Sequence, residues 1–171
     1  YLFFGPDGIG KGLTARTIAK ALNCLKFRDD SCDECDSCVK ISNNNHPDVM
    51  RIDVGDKKEA ISIEQIREFE RRINLKPYEA RSKVFIFKDC HLMSEAAANS
   101  LLKTLEEPPG SSVIILATSE PEEILPTVKS RCIQIRFDPL ALEARLGLAE
   151  KNGFTAEEAR YLSNLDAAGL L

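Results

Sequence analysis

The chain has 171 residues, 43% of them hydrophobic and 29% charged, with a formal net charge of −4. That composition fits one globular domain with a real core and room for a small second piece. It argues against a globally basic nucleic-acid binder while leaving a local basic patch open, and no apolar run approaches the roughly 18 residues of a membrane span.

The sequence opens on Tyr1-Leu2-Phe3-Phe4, a strand-like apolar run too short and wrongly flanked for a signal peptide. With no initiator Met, and with Ala167 to Leu171 carrying no stop signal, the sequence reads as a fragment. Gly5-Pro6-Asp7-Gly8-Ile9-Gly10-Lys11 follows, and then a helical pattern in which Ile18, Ala19, Leu22 and Leu25 recur. Strand, glycine-rich turn and helix form the setting of the phosphate loop G-x-x-x-x-G-K-[ST]. There, successive backbone N–H groups converge on an anion at a helix N-terminus. The Lys reaches the terminal phosphates and the Ser/Thr hydroxyl ligates Mg²⁺. Gly5, Pro6, Gly8, Gly10 and Lys11 keep the cradle, but the eighth position is Gly12. Thr14 cannot stand in for it, since two residues along is about 200° around a helix. A glycine in a helix costs up to about 1 kcal/mol against Ala, so Gly12 is no stability choice.

Residues 26–47 are polar and cysteine-rich and are expected to form a loop insertion with its own cross-link. Cys24, Cys32, Cys35 and Cys38 offer four soft ligands in one short stretch. Zn²⁺ takes four thiolates tetrahedrally at about 2.3 Å, and a site filled in this way is structural rather than catalytic. Two disulfides or four free thiols are the alternatives. Cys90 and Cys132 stand apart and read as buried small residues. His46 and His91 are surplus once four cysteines fill the site.

Asp48 to Asp53 reads as a short second strand. Ser62-x-x-Gln65 is a capping box opening a helix with the apolar stripe Ile63, Ile66, Phe69 and Ile73, closed by Pro77. Val84 to Phe87 are apolar without interruption, as in an interior parallel strand. This strand ends in Lys88-Asp89-Cys90-His91, where nucleotide hydrolases place an Asp for Mg²⁺ and, in many, a Glu to orient water. If Asp89 is the Mg²⁺ residue, the Glu has become Cys90. If Asp89 holds the Glu place, the Mg²⁺ residue has become Lys88. Either way one group is missing.

Ser94 caps a helix whose Ala98, Leu101, Leu102 and Leu105 face inward, ended by Pro108-Pro109-Gly110. Ser111 to Ser119 form another buried strand, with Thr118 and Ser119 as polar groups at its end. Ile133, Ile135 and Phe137 alternate as on an edge strand. Strands alternating with helices imply an α/β fold, a parallel sheet with helices on both faces. Helical patterns resume after Asp138-Pro139, so a small helical lid is expected to start near residue 140.

"FFGPDGIGKG", "AAANSLLKTLEEPP", "ILATSEPEEILPTVKSRC" and the four-cysteine insert together resemble the AAA+ subunits of bacterial DNA polymerase III clamp loaders, gamma/tau and delta-prime. The resemblance implies an AAA+ P-loop domain over residues 1–139 with a five-stranded parallel sheet and a zinc module at 24–38. The start of a helical lid would occupy 140–171. Counting back from Ala97-Ala98-Asn99 places His91 on the family's His, Asp89 on the Walker B Glu and Lys88 on the Asp. Ser119 falls on the sensor position. The motor subunit gamma/tau keeps Lys-[Thr/Ser] and Asp-Glu; this chain departs at Gly12 and at Lys88, as delta-prime tolerates. Implied is a cytoplasmic, delta-prime-like stator that helps load the sliding clamp onto primed DNA beside the gamma/tau and delta subunits. It would hold structural zinc and no Mg²⁺, and would not hydrolyse ATP itself. Ser130-Arg131-Cys132 matches the motif whose Arg acts as an arginine finger in the neighbouring subunit's ATP site. A gamma/tau-like ATPase, or a regulator that holds ATP or ADP without turnover, are the alternatives.

Overall fold

The computed structural model describes residues 1–54 and 60–139, with 141, 143, 144, 146, 147 and 155 beyond them. The apolar runs become five strands: β1 (Leu2–Phe4), β2 (Val49–Ile52), β3 (Lys83–Phe87), β4 (Ser112–Thr118) and β5 (Gln134–Arg136). They form one sheet in the order β2-β3-β4-β1-β5, every neighbouring pair parallel. Parallel neighbours require crossover connections. Among the described residues these carry helices α1 (Lys11–Asn23), α2 (Asp36–Ser42), α3 (Ile63–Ile73), α4 (Glu95–Glu106) and the short α5 (Pro126–Lys129). The lid expected from residue 140 falls almost wholly outside the described residues.

Successive side chains of a strand point to opposite faces, and the core divides accordingly. Leu2, Phe85, Phe87, Ile114 and Leu116 join α3 and α4 in one cluster with Ile66, Phe69, Ala97 and Leu101. Phe3, Val84, Ile86, Ile115 and Ala117 join Ala15 and Ala19 of α1 in the other. Phe69 sets its ring edge-on against Phe85 and Phe87, with centroids 4.9 and 5.2 Å apart. Each such ring contributes about 1.5–3 kcal/mol through burial. Small Ala15 and Ala19, both fully buried, bring α1 close to the sheet.

The capping expectation at α3 holds in its Gln65 half, where the Ser62 N–H donates to Gln65 Oε1 at 3.0 Å. Ser94 Oγ accepts the Ala97 N–H at 3.2 Å and starts α4. β5 lies at one edge of the sheet, as its alternation suggested. Two expectations need correction. The first helix ends at Asn23, and Leu25, assigned to its inner stripe, is 69% exposed. Cys24 has ψ of 130°, so the chain leaves the helix there to enter the cysteine cluster. The stretch 26–47 is also more than loop, since α2 lies inside it and buries Cys38 and Ile41.

Candidate functional site

The glycine-rich loop sits where β1 gives way to α1. Gly8 and Gly10 have φ of 71° and 97°, conformations that side chains resist. Gly5, at φ 149°, has a second reason to be glycine. A Cβ there would lie 2.2 Å from the Phe137 carbonyl oxygen, so the backbone leaving β5 runs against the loop's first residue. The Gly5 N–H donates to the Thr118 carbonyl at 3.3 Å, tying the loop to the end of β4. Lys11, the first residue of α1, is 7% exposed. Its Nζ donates to the carbonyls of Gly5 at 2.8 Å and Pro6 at 2.7 Å, with the Asp7 carboxylate 3.8 Å away. The loop therefore closes on its own lysine. Burial lowers the Lys11 pKa, Asp7 and Asp89 oppose the fall, and Lys88 adds to it. Gly12 stands in open space, where a Cβ would meet nothing within 4 Å. Packing does not exclude the missing hydroxyl.

β4 lies between β1 and β3, so the ends of all three strands come together, Phe4 beside Thr118 and Phe87 beside Leu116. Residues far apart in sequence thus meet at the loop. Asp89 is held at φ 51° at the start of a 3₁₀ turn, and its carboxylate lies 3.5 Å from Lys88 Nζ. Gly12 and Lys88 line one groove of about 710 Å³, with Arg16, Arg51 and Asp53 also on its walls. The two positions that the sequence reading left without an Mg²⁺ ligand line the same groove. One has no side chain and the other carries an ammonium, so neither of these two positions offers a divalent cation a ligand, and Asp53 is the carboxylate on the same walls. At the end of β4 the bonded hydroxyl is that of fully buried Thr118. Its Oγ1 accepts the Glu120 N–H at 2.9 Å and lies 3.1 Å from His91 Nδ1. Ser119 stands half-buried one residue on.

The Sγ atoms of Cys24, Cys32, Cys35 and Cys38 lie within 4.8 Å of one another, and none is in a disulfide. Four ligands at 2.3 Å around a tetrahedron stand about 3.8 Å apart, so the cluster fits a zinc ion with small adjustments. Cys24 follows α1, Cys35 precedes α2 and Cys38 lies within it, so two helix ends frame the cluster. Backbone N–H groups of Phe27 and Leu25 donate to the sulfurs of Cys24 and Cys35 at 3.3 and 3.5 Å. Burial raises the Cys35 pKa, but N–H groups of Cys38 and Leu25 and the neighbouring Cys32 and Cys38 thiols outweigh it and bring it down to about 6. Burial pushes Cys38 up to about 12. One sulfur is ready to ionise while its neighbour resists, and a bound cation is what lets all four ionise together. Cys90 lies apart, buried, its thiol pushed up to about 12 by burial. Cys132 is half-buried and its thiol is likewise raised by burial. His46 accepts the Asp48 N–H through Nδ1 at 3.1 Å, and neither histidine joins the cluster.

Arg131 follows α5. Leu2 pairs with Gln134 across the parallel β1–β5 ladder. Arg131, three residues before Gln134, therefore lies toward the end of the sheet away from the chain's own loop. Its Nε donates to Glu106 Oε1 at 2.7 Å, and Nη2 donates to the same oxygen. Nη1 donates to the Thr127 carbonyl at 2.8 Å and to Ser130 Oγ at 3.4 Å. Glu106 was not among the residues singled out from sequence. A glutamate near a helix end carries no local signal, and its partner lies 25 residues away.

Residues 1–141 match the family described as "DNA polymerase III, delta subunit". The chain is 39% identical over 152 residues to "DNA polymerase III subunit tau" of Bacillus subtilis, covering 88% of this chain and 26% of that protein. It is 35% identical over 176 residues to "DNA polymerase III subunit gamma/tau" of Mycobacterium bovis, covering 99% and 30%. The chain thus spans only 26% and 30% of the length of these two relatives. Among solved structures, a DNA polymerase III gamma subunit-related protein from Thermotoga maritima aligns with a TM-score of 0.58 at 25% identity, covering 94% of this chain and 52% of that one. The RuvB Holliday junction branch migration motor of the same organism aligns with a TM-score of 0.59 at 13% identity, covering 95% and 47%, and shares the fold.

Proposed function

The chain belongs to the DNA polymerase III delta-subunit family, AAA+ clamp-loader chains similar to gamma/tau, and on that premise we propose that it is a delta-prime-like stator that does not itself hydrolyse ATP. The observation that carries this reading is the groove shared by Gly12 and Lys88. A phosphate loop that hydrolyses nucleotide needs a hydroxyl and a carboxylate on Mg²⁺; here neither position supplies one.

Residues 1–139 would act as the AAA+ domain and 140–171 as the start of its lid. Arg131 would serve a neighbour's chemistry, placing its positive charge beside the γ-phosphate of an adjacent gamma/tau subunit. Arginine fingers are worth about 10³–10⁵ in rate. The four cysteines would hold zinc as a structural cross-link. The partners are the gamma/tau and delta subunits and, through the assembly, the sliding clamp and primed DNA in the cytoplasm.

The test is reconstitution with gamma/tau and delta. Arg131→Ala should cut ATP turnover by at least about 10²-fold while assembly persists; unchanged turnover would remove the finger role. A gamma/tau-like ATPase is the second reading, favoured by the 39% identity to a tau subunit. Hydrolysis by the isolated chain above a Lys11→Ala control would establish it. Saturable ATP or ADP binding without hydrolysis would instead support a nucleotide-holding regulator.

A further inference from the structure

The Arg131 guanidinium makes four hydrogen bonds, to Glu106, Thr127 and Ser130. Nε and Nη2 form one edge of the guanidinium, and both donate to a single oxygen of Glu106. That edge is the fork by which arginine grips a carboxylate or a phosphate. Nη1 is meanwhile anchored on Thr127 and Ser130, at the end of α5.

Glu106 is the last residue of α4. A carboxylate there faces the negative end of the helix dipole, so the position does not serve helix stability. The two side chains are 50% and 30% exposed, Glu106 and Arg131 respectively. A pair that open to water is weakly held and screened by salt. A phosphate oxygen offers the same acceptor geometry with more negative charge.

We infer that Glu106 is the resting partner of Arg131, a carboxylate that occupies the guanidinium's phosphate-gripping edge until a neighbouring subunit's phosphate displaces it. The inference rests on the reading of Arg131 as a finger. Glu106 acts through Arg131 and touches no nucleotide, so it is a positioning residue. It keeps the guanidinium in a defined place and makes its release depend on a stronger anion.

The experiment uses the complex reconstituted with gamma/tau and delta, at subsaturating ATP and low salt. Glu106→Gln should raise turnover by about 2–5-fold, the range an exposed ion pair of this kind allows. Raising salt from about 0.05 to 0.3 M should narrow the gap between variant and parent. The gain should vanish when Glu106→Gln is combined with Arg131→Ala. Turnover unchanged or lowered by Glu106→Gln, or a gain that survives loss of Arg131, overturns the inference. Arg131→Ala with no effect of its own is a different result, and defeats the finger reading instead. The contact has its own readout in the free chain. The Arg131 Nε–H should exchange with solvent more slowly in the parent than in Glu106→Gln, and equal rates would also overturn the resting pair.

Discussion

The phosphate loop and the cysteine insert are joined through α1, and they are held in opposite ways. The loop is tied by contacts within the chain. Its glycines take up the turn, Thr118 receives the Gly5 N–H, and Lys11 bonds two of the loop's own carbonyls. The insert gathers four sulfurs within 4.8 Å of one another at the ends of two helices. Its sulfurs differ in readiness to ionise, from about 6 at Cys35 to about 12 at Cys38. Backbone dipoles carry no net charge to repel one another, whereas four thiolates are like charges that a shared cation would hold together.

The largest test of that contrast is metal removal. Zinc binding in small four-ligand modules is worth about 10–16 kcal/mol, most of it folding free energy. Chelation, or Cys38→Ser, should therefore raise amide exchange across residues 24–42 while the sheet keeps its protection. An insert equally protected without metal would end the comparison. Acid should act in the same direction. The Cys35 thiol is lowered from 9.0 to about 6 in the folded chain, so its thiolate's contribution is present above 9.0 and lost as pH falls through about 6. Protons compete with a cation for the four sulfurs, so zinc release, followed with a chromogenic chelator, should rise as pH falls.

Smaller effects test the loop. Gly5→Ala should cost about 3 kcal/mol or more in urea unfolding, since it combines a φ of 149° with a contact of 2.2 Å to Phe137. Lys11→Ala should cost about 1–2 kcal/mol with no nucleotide present, because the Gly5 and Pro6 carbonyls lose their donor. No loss would mean that the backbone alone holds the loop. Gly12→Ala should gain about 0.5–1 kcal/mol, since the position is helical and open. A loss there would mean that Gly12 answers a packing need after all.

Much of the fold was legible because its signals are local. Val84 to Phe87 announced an interior strand, and β3 is buried along its whole length. Ser62 and Gln65 marked the start of α3, and spacing alone made the four cysteines a cluster. Leu25 misled because helical spacing continues past the point where the cysteines draw the backbone out of the helix. α2 escaped notice because its seven residues, Asp36–Ser42, lie within a polar stretch where cysteine chemistry dominates the pattern. Thr118 and Ser119 were both read as polar strand-end groups, but which hydroxyl bonds His91 depends on the direction each side chain takes from β4.

From the sequence alone came the parallel α/β class, the glycine cradle without its metal hydroxyl, the four soft ligands and an intact Ser130-Arg131-Cys132. The first three follow from residue type and short-range periodicity, which act within a few residues, and the last from the resemblance to clamp-loader subunits. Only the tertiary structure decided that Gly12 and Lys88 face one groove, that Lys11 closes the loop on itself, and that Arg131 lies toward the far end of the sheet on Glu106. The strand order β2-β3-β4-β1-β5 brings those groups together or holds them apart. That order is set by how two apolar faces of one sheet are covered at once, a condition on the whole chain rather than on any stretch of it.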